Sequence, residues 1–396
     1  NSPTICQITV DRALAPVRQS NPTVTIVQYM DDILIATPST RQVDQLVSTI
    51  SETLRTNGFE VASAKIKKGP CVTFLGVGIT SSYITPPQMK IRRDIKMLHD
   101  MQQLVGSLQW LRNIVLIPPE VMDPLNDLLK GKNPWEQKTL TLEAVETLQQ
   151  ILDCVTQGSV RRRDLDLPIQ LTVWCGPKFL LGALTQHNRK TGEIWALEWI
   201  SPPLQQHKTL LQKIEILADL LKKGHERAVQ ITGKEPDQIQ IPMKKDTLTW
   251  YLTNSMELQE ALLGAGSVTA TDDIPNVPLN WIGQWGWIQC PKRSLKPLSD
   301  AITAYTDAGR KSKTAAVTWQ EEGQWHHHIL RATELDTLQT MELLAVVWAM
   351  MHFSGPLNIV TDSLYVAGVC ERIEDASIKK VQNRRLHELF MQLQRA

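Results

Sequence analysis

The sequence lacks any apolar run long enough to cross a bilayer, which argues against a membrane-spanning role. No signal peptide is read at its start, so no targeting is expected. Cysteine is sparse: Cys6, Cys71, Cys154, Cys175, Cys290 and Cys370 are far apart and form no Cys-x-x-Cys pair. Neither a zinc framework nor a disulfide scaffold is indicated, and a reducing compartment fits. The nucleophile elbow, the Walker loop and the glycine-rich dinucleotide fingerprint are all missing, which makes an α/β hydrolase a poor reading. An excess of charge of one sign is missing too: 42 Lys and Arg stand against 41 Asp and Glu, for a formal net charge of +1.

That near-neutral total hides a local excess. Between Lys65 and Lys96 stand seven basic residues (Lys65, Lys67, Lys68, Lys90, Arg92, Arg93 and Lys96) against one acid, Asp94. Such a stretch suits phosphate contacts; a solvated surface is the plain alternative. Arg161-Arg162-Arg163 reads as a linker, and His326-His327-His328 as polar strand surface. With 396 residues, 42% hydrophobic and 21% charged, the chain has the composition of a globular protein of about two to four domains.

Four segments are legible. Residues 1–88 mix a helix (Ser2 to Arg18), two short apolar strands, a second helix (Arg41 to Asn57) and further strands, an α+β order closed by Thr85-Pro86-Pro87. Residues 89–164 are mostly helical. Met97, Met101, Leu104, Leu108 and Leu111 form one stripe, Pro118-Pro119 opens a second helix, and Leu142, Val145, Leu148 and Leu152 mark a face of a third. Residues 165–297 return to α/β, with an alternating strand at Ile169 to Val173 and a hairpin at Gly192. An amphipathic helix follows from Lys208 to Arg227, then a cluster of Trp281, Trp285 and Trp287. Residues 298–396 carry strand, helix and strand again.

Two carboxylate sets stand out. Asp31 and Asp32 lie between the apolar runs Val24 to Val27 and Ile33 to Ala36, at the expected tip of a β-hairpin. Burying two adjacent like charges is costly unless a divalent metal neutralises them, and phosphoryl transfer uses such metals. An ordinary Asp-Asp turn is the alternative. In the last segment Asp307 sits in one strand, Glu342 on the helix Leu338 to Met351, and Asp362 near the end of another strand. Adjacent strands would bring the two aspartates together and the helix would present Glu342. Such a trio can hold two divalent ions for attack of water on a phosphodiester. Carboxylate-only ligation suits Mg2+ or Mn2+.

The Tyr29-Met30-Asp31-Asp32 motif resembles the catalytic hairpin of retroviral reverse transcriptases. Asn1-Ser2-Pro3-Thr4-Ile5-Cys6-Gln7 resembles the palm segment beside template and incoming nucleotide. Phe74-Leu75-Gly76 resembles the strand that carries the primer grip, and Leu104 to Arg112 the first thumb helix. The contexts Thr-Asp-Ala-Gly, Met-Glu-Leu and Thr-Asp-Ser around Asp307, Glu342 and Asp362 resemble the first three carboxylates of ribonuclease H. Gln339, Ser363 and Tyr365 fall at family positions that contact the hybrid.

The resemblance spans the chain and is closest to avian-type and related mammalian-type retroviral or endogenous-retroviral Pol proteins. It implies an α+β multidomain chain: a partial palm (1–88), a helical thumb (89–164), a ribonuclease-H-like connection (165–297) and a truncated ribonuclease H domain (298–396). It also implies RNA template, DNA primer, RNA–DNA hybrid and deoxynucleoside triphosphates as partners, a dimer partner as an option, and a cytoplasmic or virion-associated setting. Tyr29, Met30, Leu75 and Gly76 would then face nucleic acid.

In that family, fingers and a further metal-binding Asp precede the position of Asn1, and a fourth Asp and a His follow that of Ala396. The expectation is no polymerase activity and weak or absent hydrolysis from the stretch as written. Asp375 follows Asp362 too closely to substitute. Two readings stay open: a reverse transcriptase and ribonuclease, or a non-catalytic nucleic-acid-binding or scaffold remnant.

Overall fold

The computed structural model describes residues 2–88, 94–177, 179–202, 208–270, 285–379 and 381–396, with backbone alone at 119 and 120. The chain is mixed α/β and forms two compact units, Asn1–Lys90 and Ile91–Ala396.

In the first unit α1 (Ser2–Ser20) and α2 (Thr40–Thr56) pack over the hairpin β1 (Thr25–Tyr29) and β2 (Asp32–Ala36). Leu14, Val17, Ile26, Leu46, Ile50 and Leu54 form the core, with Val24, Ile33 and Ile35 at its margin. The α2 residues recur every three or four positions, which puts them on one helical face. β3 (Val72–Phe74), β4 (Val77–Ile79) and β5 (Tyr83–Thr85) then run as an antiparallel meander.

The second unit opens with α3 (Leu98–Leu111), α4 (Pro119–Leu128) and α5 (Leu142–Gln157). Two expected stripes need correction. Met97 precedes α3 and is exposed; Leu98 takes its place in the core beside Met101, Leu104, Val105, Leu108 and Leu111. On α5 the buried face is Ala144, Thr147, Leu148, Ile151 and Val155, while Leu142 and Val145 are exposed. The two stripes share Leu148 but their centres are turned by about 100°, the step between successive residues, which the apolar pattern alone leaves ambiguous.

After β6 (Val160–Arg161), the strands β7 (Gln170–Cys175), β8 (Leu180–His187) and β9 (Ile194–Ile200) form an antiparallel run. β10 (Leu210–Leu211) leads into α6 (Lys213–Thr232) and β11 (Gln238–Ile241). Next come α7 (Lys245–Asn254), α8 (Met256–Ala261) and β12 (Val268–Ala270). The sheet order is β12-β11-β7-β8-β9, with β11 parallel to both β7 and β12. The alternation expected from Ile169 to Val173 is not one of solvent and core. Thr172 is fully buried, its hydroxyl 2.8 Å from that of Thr185, because this strand is covered on both faces. The helix expected from Lys208 begins at Lys213, since Leu210 and Leu211 are taken into a strand. Trp281 lies outside the described residues, and Trp285 packs edge-on against Phe179 at 5.7 Å. Arg161 is no free linker: its guanidinium lies 4.5 Å over the Trp195 ring.

The last module holds β13 (Ile302–Gly309), β14 (Thr314–Glu321), β15 (Gln324–Arg331), α9 (Leu338–His352), β16 (Leu357–Thr361), α10 (Leu364–Arg372), β17 (Ser377–Ile378) and α11 (Arg384–Arg395). Its sheet order is β15-β14-β13-β16, with β13 and β16 parallel. α9 buries Met341, Ala345 and Ala349 against the sheet, and Leu343, Val346 and Val347 against a core with α10 and α11. β17 pairs antiparallel with β10. Beside that pair Glu215 is buried and held by Lys208 and by Arg372, at 2.5 Å from each.

Candidate active sites

The first site is the turn between β1 and β2. Tyr29 pairs with Asp32, so Met30 and Asp31 form a two-residue turn. Met30 has φ of 49°, a backbone state that costs a residue other than glycine about 1–2 kcal/mol. Two glutamines hold it there. The Gln7 side-chain carbonyl accepts the Met30 N–H, Gln7 Nε2 donates to Gln28 Oε1 at 3.2 Å, and Gln28 Nε2 donates to the Met30 carbonyl at 3.0 Å. Asp31 and Asp32 are both exposed, so the expectation of a buried like-charge pair is corrected: water, at high dielectric, tolerates the two charges. Tyr29 and Met30 are exposed beside them.

Leu75 and Gly76 are not strand residues. Phe74 pairs with Val77, which makes Leu75-Gly76 the turn between β3 and β4. Both have positive φ, 50° and 78°, the pattern of the hairpin turns whose twist matches that of the strands they join. The basic stretch is partly described. Lys68 pairs with Asp44 at 2.6 Å and Lys96 with Asp94 at 3.4 Å; Lys90, Arg92 and Arg93 lie outside the described residues.

The second site is at the ends of β13 and β16. Their parallel register pairs Thr306 with Thr361, so Asp307 and Asp362 are the next residues on neighbouring strands. Asp362 leads directly into Ser363, whose hydroxyl caps α10 by accepting the Val366 N–H at 3.4 Å. Glu342 is half-buried on α9, near the seam between its two buried faces, and Gln339 is exposed one turn earlier. Tyr365 is half-buried against the α9–α10–α11 core, and burial pushes its phenol up.

The strands and helix thus place the three acids on adjacent elements. Among the described residues no three His, Cys, Asp or Glu side chains form a group that could hold a metal ion. Asp307 Oδ1 instead accepts the Ala308 N–H at 2.7 Å. Asp375 is elsewhere, near Lys213 at the start of α6, where burial pushes its carboxyl up.

Several supporting residues escaped the sequence reading. Asp336 accepts from the Thr333 N–H at 2.9 Å, from Arg385 Nε at 3.0 Å and from the Thr340 hydroxyl at 3.1 Å. Burial pushes its carboxyl up, but these bonds outweigh that and hold it below its usual value. Thr337 and Thr340 form a reciprocal cap at the start of α9. The spacing Asp336-Thr337-x-x-Thr340 ahead of an apolar run is a helix-start signal that could have been found. His326 and His328 are more than polar surface: His328 stacks on Trp348 at 4.2 Å and His326 on Trp319 at 5.6 Å.

Comparison with known families follows the same order along the chain. Residues 1–79 match the reverse transcriptase (RNA-dependent DNA polymerase) family, 86–149 the reverse transcriptase thumb domain, 177–270 an ERVK-8-like, RNaseH-like domain, and 299–395 RNase H. The Gag-Pro-Pol polyprotein of mouse mammary tumor virus is 30% identical over 96% of this chain and 21% of its own length. That of sheep pulmonary adenomatosis virus is 30% identical over 100% and 22%. The Gag-Pol polyprotein of avian leukosis virus is 30% identical over 92% and 22%. The chain spans about a fifth of the length of the curated relatives it matches. Matched in sequence from palm to nuclease, it belongs to the reverse transcriptase–ribonuclease H family of retroviral Pol proteins.

Proposed function

We propose that this chain acts on RNA–DNA hybrids as the reverse transcriptase and ribonuclease H part of a retroelement Pol protein. Its segments are then palm at 1–88, thumb at 89–164, connection at 165–297 and ribonuclease H at 298–396. The observation that supports the reading is the β13–β16 register, which pairs Thr306 with Thr361, the residues just before Asp307 and Asp362, while α9, the helix of Glu342, packs Met341, Ala345 and Ala349 against the same sheet.

The donor chemistry fits a hard divalent ion: carboxylates on exposed or half-buried positions, with no competing soft ligand. Asp307, Glu342 and Asp362 would hold Mg2+ or Mn2+ in the nuclease site; Asp31 and Asp32 would do so in the polymerase site. Such ions, when bound, would supply charge stabilisation for phosphodiester cleavage. Gln339 and Ser363 supply polar contacts to a hybrid, whose shape and 2′-hydroxyls are the recognisable features. Tyr29, Met30, Leu75 and Gly76, all at hairpin turns, meet template and primer in the first unit. Deoxynucleoside triphosphates and a dimer partner belong to the same reading.

A second reading, a nucleic-acid-binding or scaffolding chain, is favoured by one observation: the three nuclease carboxylates are not gathered into a ligand group. Cleavage of a labelled RNA–DNA hybrid in Mg2+ or Mn2+ decides between them, with Asp307→Asn as control. Cleavage lost in the control supports the nuclease. Binding without cleavage in the unsubstituted chain supports the scaffold.

A further inference from the structure

α9 covers one face of the last sheet with Met341, Ala345 and Ala349. The opposite face is bare among the described residues. Trp325 is 63% exposed on it, Ile329 56%, and Tyr305 and Val360 45% each. At one corner of this face the register pairs Tyr305 with Thr318 and Trp325 with Gln320. The two rings therefore meet diagonally across β14. Their centroids are 6.0 Å apart and their planes are tilted by 52°.

The rings wall a groove of about 510 Å³ whose rim is acidic. Asp300 stands on the rim just before β13, and Glu321 and Glu322 come from the β14–β15 turn. No lysine or arginine among the described residues lines it. Carboxylates beside exposed ring faces attract a cation and repel phosphate. The groove is therefore unsuited to a nucleic-acid backbone, which seeks lysine and arginine.

β15 adds a second feature. It is the end strand in the order β15-β14-β13-β16. Over Gln324–Arg331 it carries neither proline nor lysine, the residues that commonly blunt an exposed edge. Its outer backbone groups can pair with an extended peptide laid alongside. A small free cation would use the groove alone, whereas a peptide uses groove and edge together.

We propose that this corner docks an extended basic segment of a protein partner, with an arginine side chain between the rings and the acidic rim and the peptide backbone along β15. Arginine fits better than lysine, because its planar guanidinium stacks on a ring and forks to a carboxylate. None of these residues takes part in the carboxylate chemistry proposed above.

The test is fluorescence anisotropy of a labelled peptide of alternating arginine and threonine, titrated with the full chain. A second peptide with citrulline in place of arginine keeps the shape and loses the charge. The expected result is saturable binding of the arginine peptide and none of the citrulline peptide. Trp325→Ala should weaken binding about fivefold, the loss of one exposed cation–π contact, and the pair Glu321→Gln and Glu322→Gln at least as much. Trp325→Tyr keeps a ring face and should retain most of the affinity. The pair Glu143→Gln and Glu146→Gln removes the same charge from exposed positions on α5 and should leave the affinity unaltered. Equal weakening by the two acid pairs would overturn the proposal, because the peptide would then be following negative charge in general. No binding, or equal affinity for the citrulline peptide, would overturn it as well. Should Trp325→Ala fail to fold, the two acid pairs carry the comparison.

Discussion

The side-chain carbonyl of Gln7 accepts the backbone N–H of Met30, tying α1 to the turn that carries Asp31. The turn sits in a strained backbone state, so this bond and its Gln28 companion decide whether the state persists. Gln7→Ala removes the acceptor without touching either carboxylate. It should cost the turn about 1 kcal/mol, or roughly a fivefold increase in hydrogen exchange at the Met30 amide. The core at Leu14, Leu46 and Leu54 should keep its protection. Unchanged exchange at Met30 would show that the hairpin holds its own turn.

The Leu75-Gly76 turn makes stability and binding pull apart. Leu75 pays for a left-handed backbone that asparagine adopts more readily. Leu75→Asn should therefore protect the β3–β4 amides, by about 0.5–1 kcal/mol. If Leu75 meets the primer as proposed, the same change should weaken binding of a primed template. Gly76→Ala should act the other way on stability, losing about 1 kcal/mol. Stronger protection with unaltered template affinity would remove Leu75 from the binding surface.

Two carboxylates at the β10–β17 junction should respond to acid with opposite signs. Burial pushes the Glu215 carboxyl up, but bonds from Arg372, Lys208 and the Gln212 N–H outweigh it and leave the pKa lowered. Its contribution is present above the ordinary value of 4.5 and is lost as pH falls through the folded pKa. Asp375 is the reverse: burial raises it, so its charge opposes folding as pH climbs from 3.8 through the folded value. Glu215→Gln should flatten the acid loss of protection at Leu210 and Ile378. Asp375→Asn should strengthen the junction at neutral pH. Parallel pH profiles for both variants and the unsubstituted chain would refute the assignment.

Local pattern made much of this legible. The hairpin that carries Asp31 and Asp32, the helix around Glu342 and the strands leading to Asp307 and Asp362 all follow from short apolar runs and their breaks. What stayed hidden was set by tertiary partners. The phase of α5 depended on which of two neighbouring stripes met the core. The start of α6 was displaced because Leu210 and Leu211 found a strand partner about 167 residues later, at Ser377 and Ile378. The exposure of Asp31 and Asp32 was misread because adjacent charges say nothing about what lies above them. Arg112, at the end of α3, gave no sign that it would be buried, with its Nε and Nη2 unpaired among the described residues.

Gly224 looks like a helix flaw that Ala should repair. On propensity alone Gly224→Ala would gain α6 about 1 kcal/mol. Packing opposes it: a Cβ there would lie 2.5 Å from Leu171 Cδ1 and 2.7 Å from Cδ2. Leu171 is fully buried in the central strand β7 and has little room to yield. Overpacking of this kind costs about 1–3 kcal/mol, so the larger effect wins and Tm should fall. The double variant discriminates packing from any other cause. Leu171→Ala alone opens a cavity worth about 2–5 kcal/mol, and the added Cβ would fill part of it. Gly224→Ala should therefore become neutral or stabilising in the Leu171→Ala background, with a coupling of about 0.5–3 kcal/mol. Strict additivity of the two substitutions would mean that the helix and strand do not meet at this point.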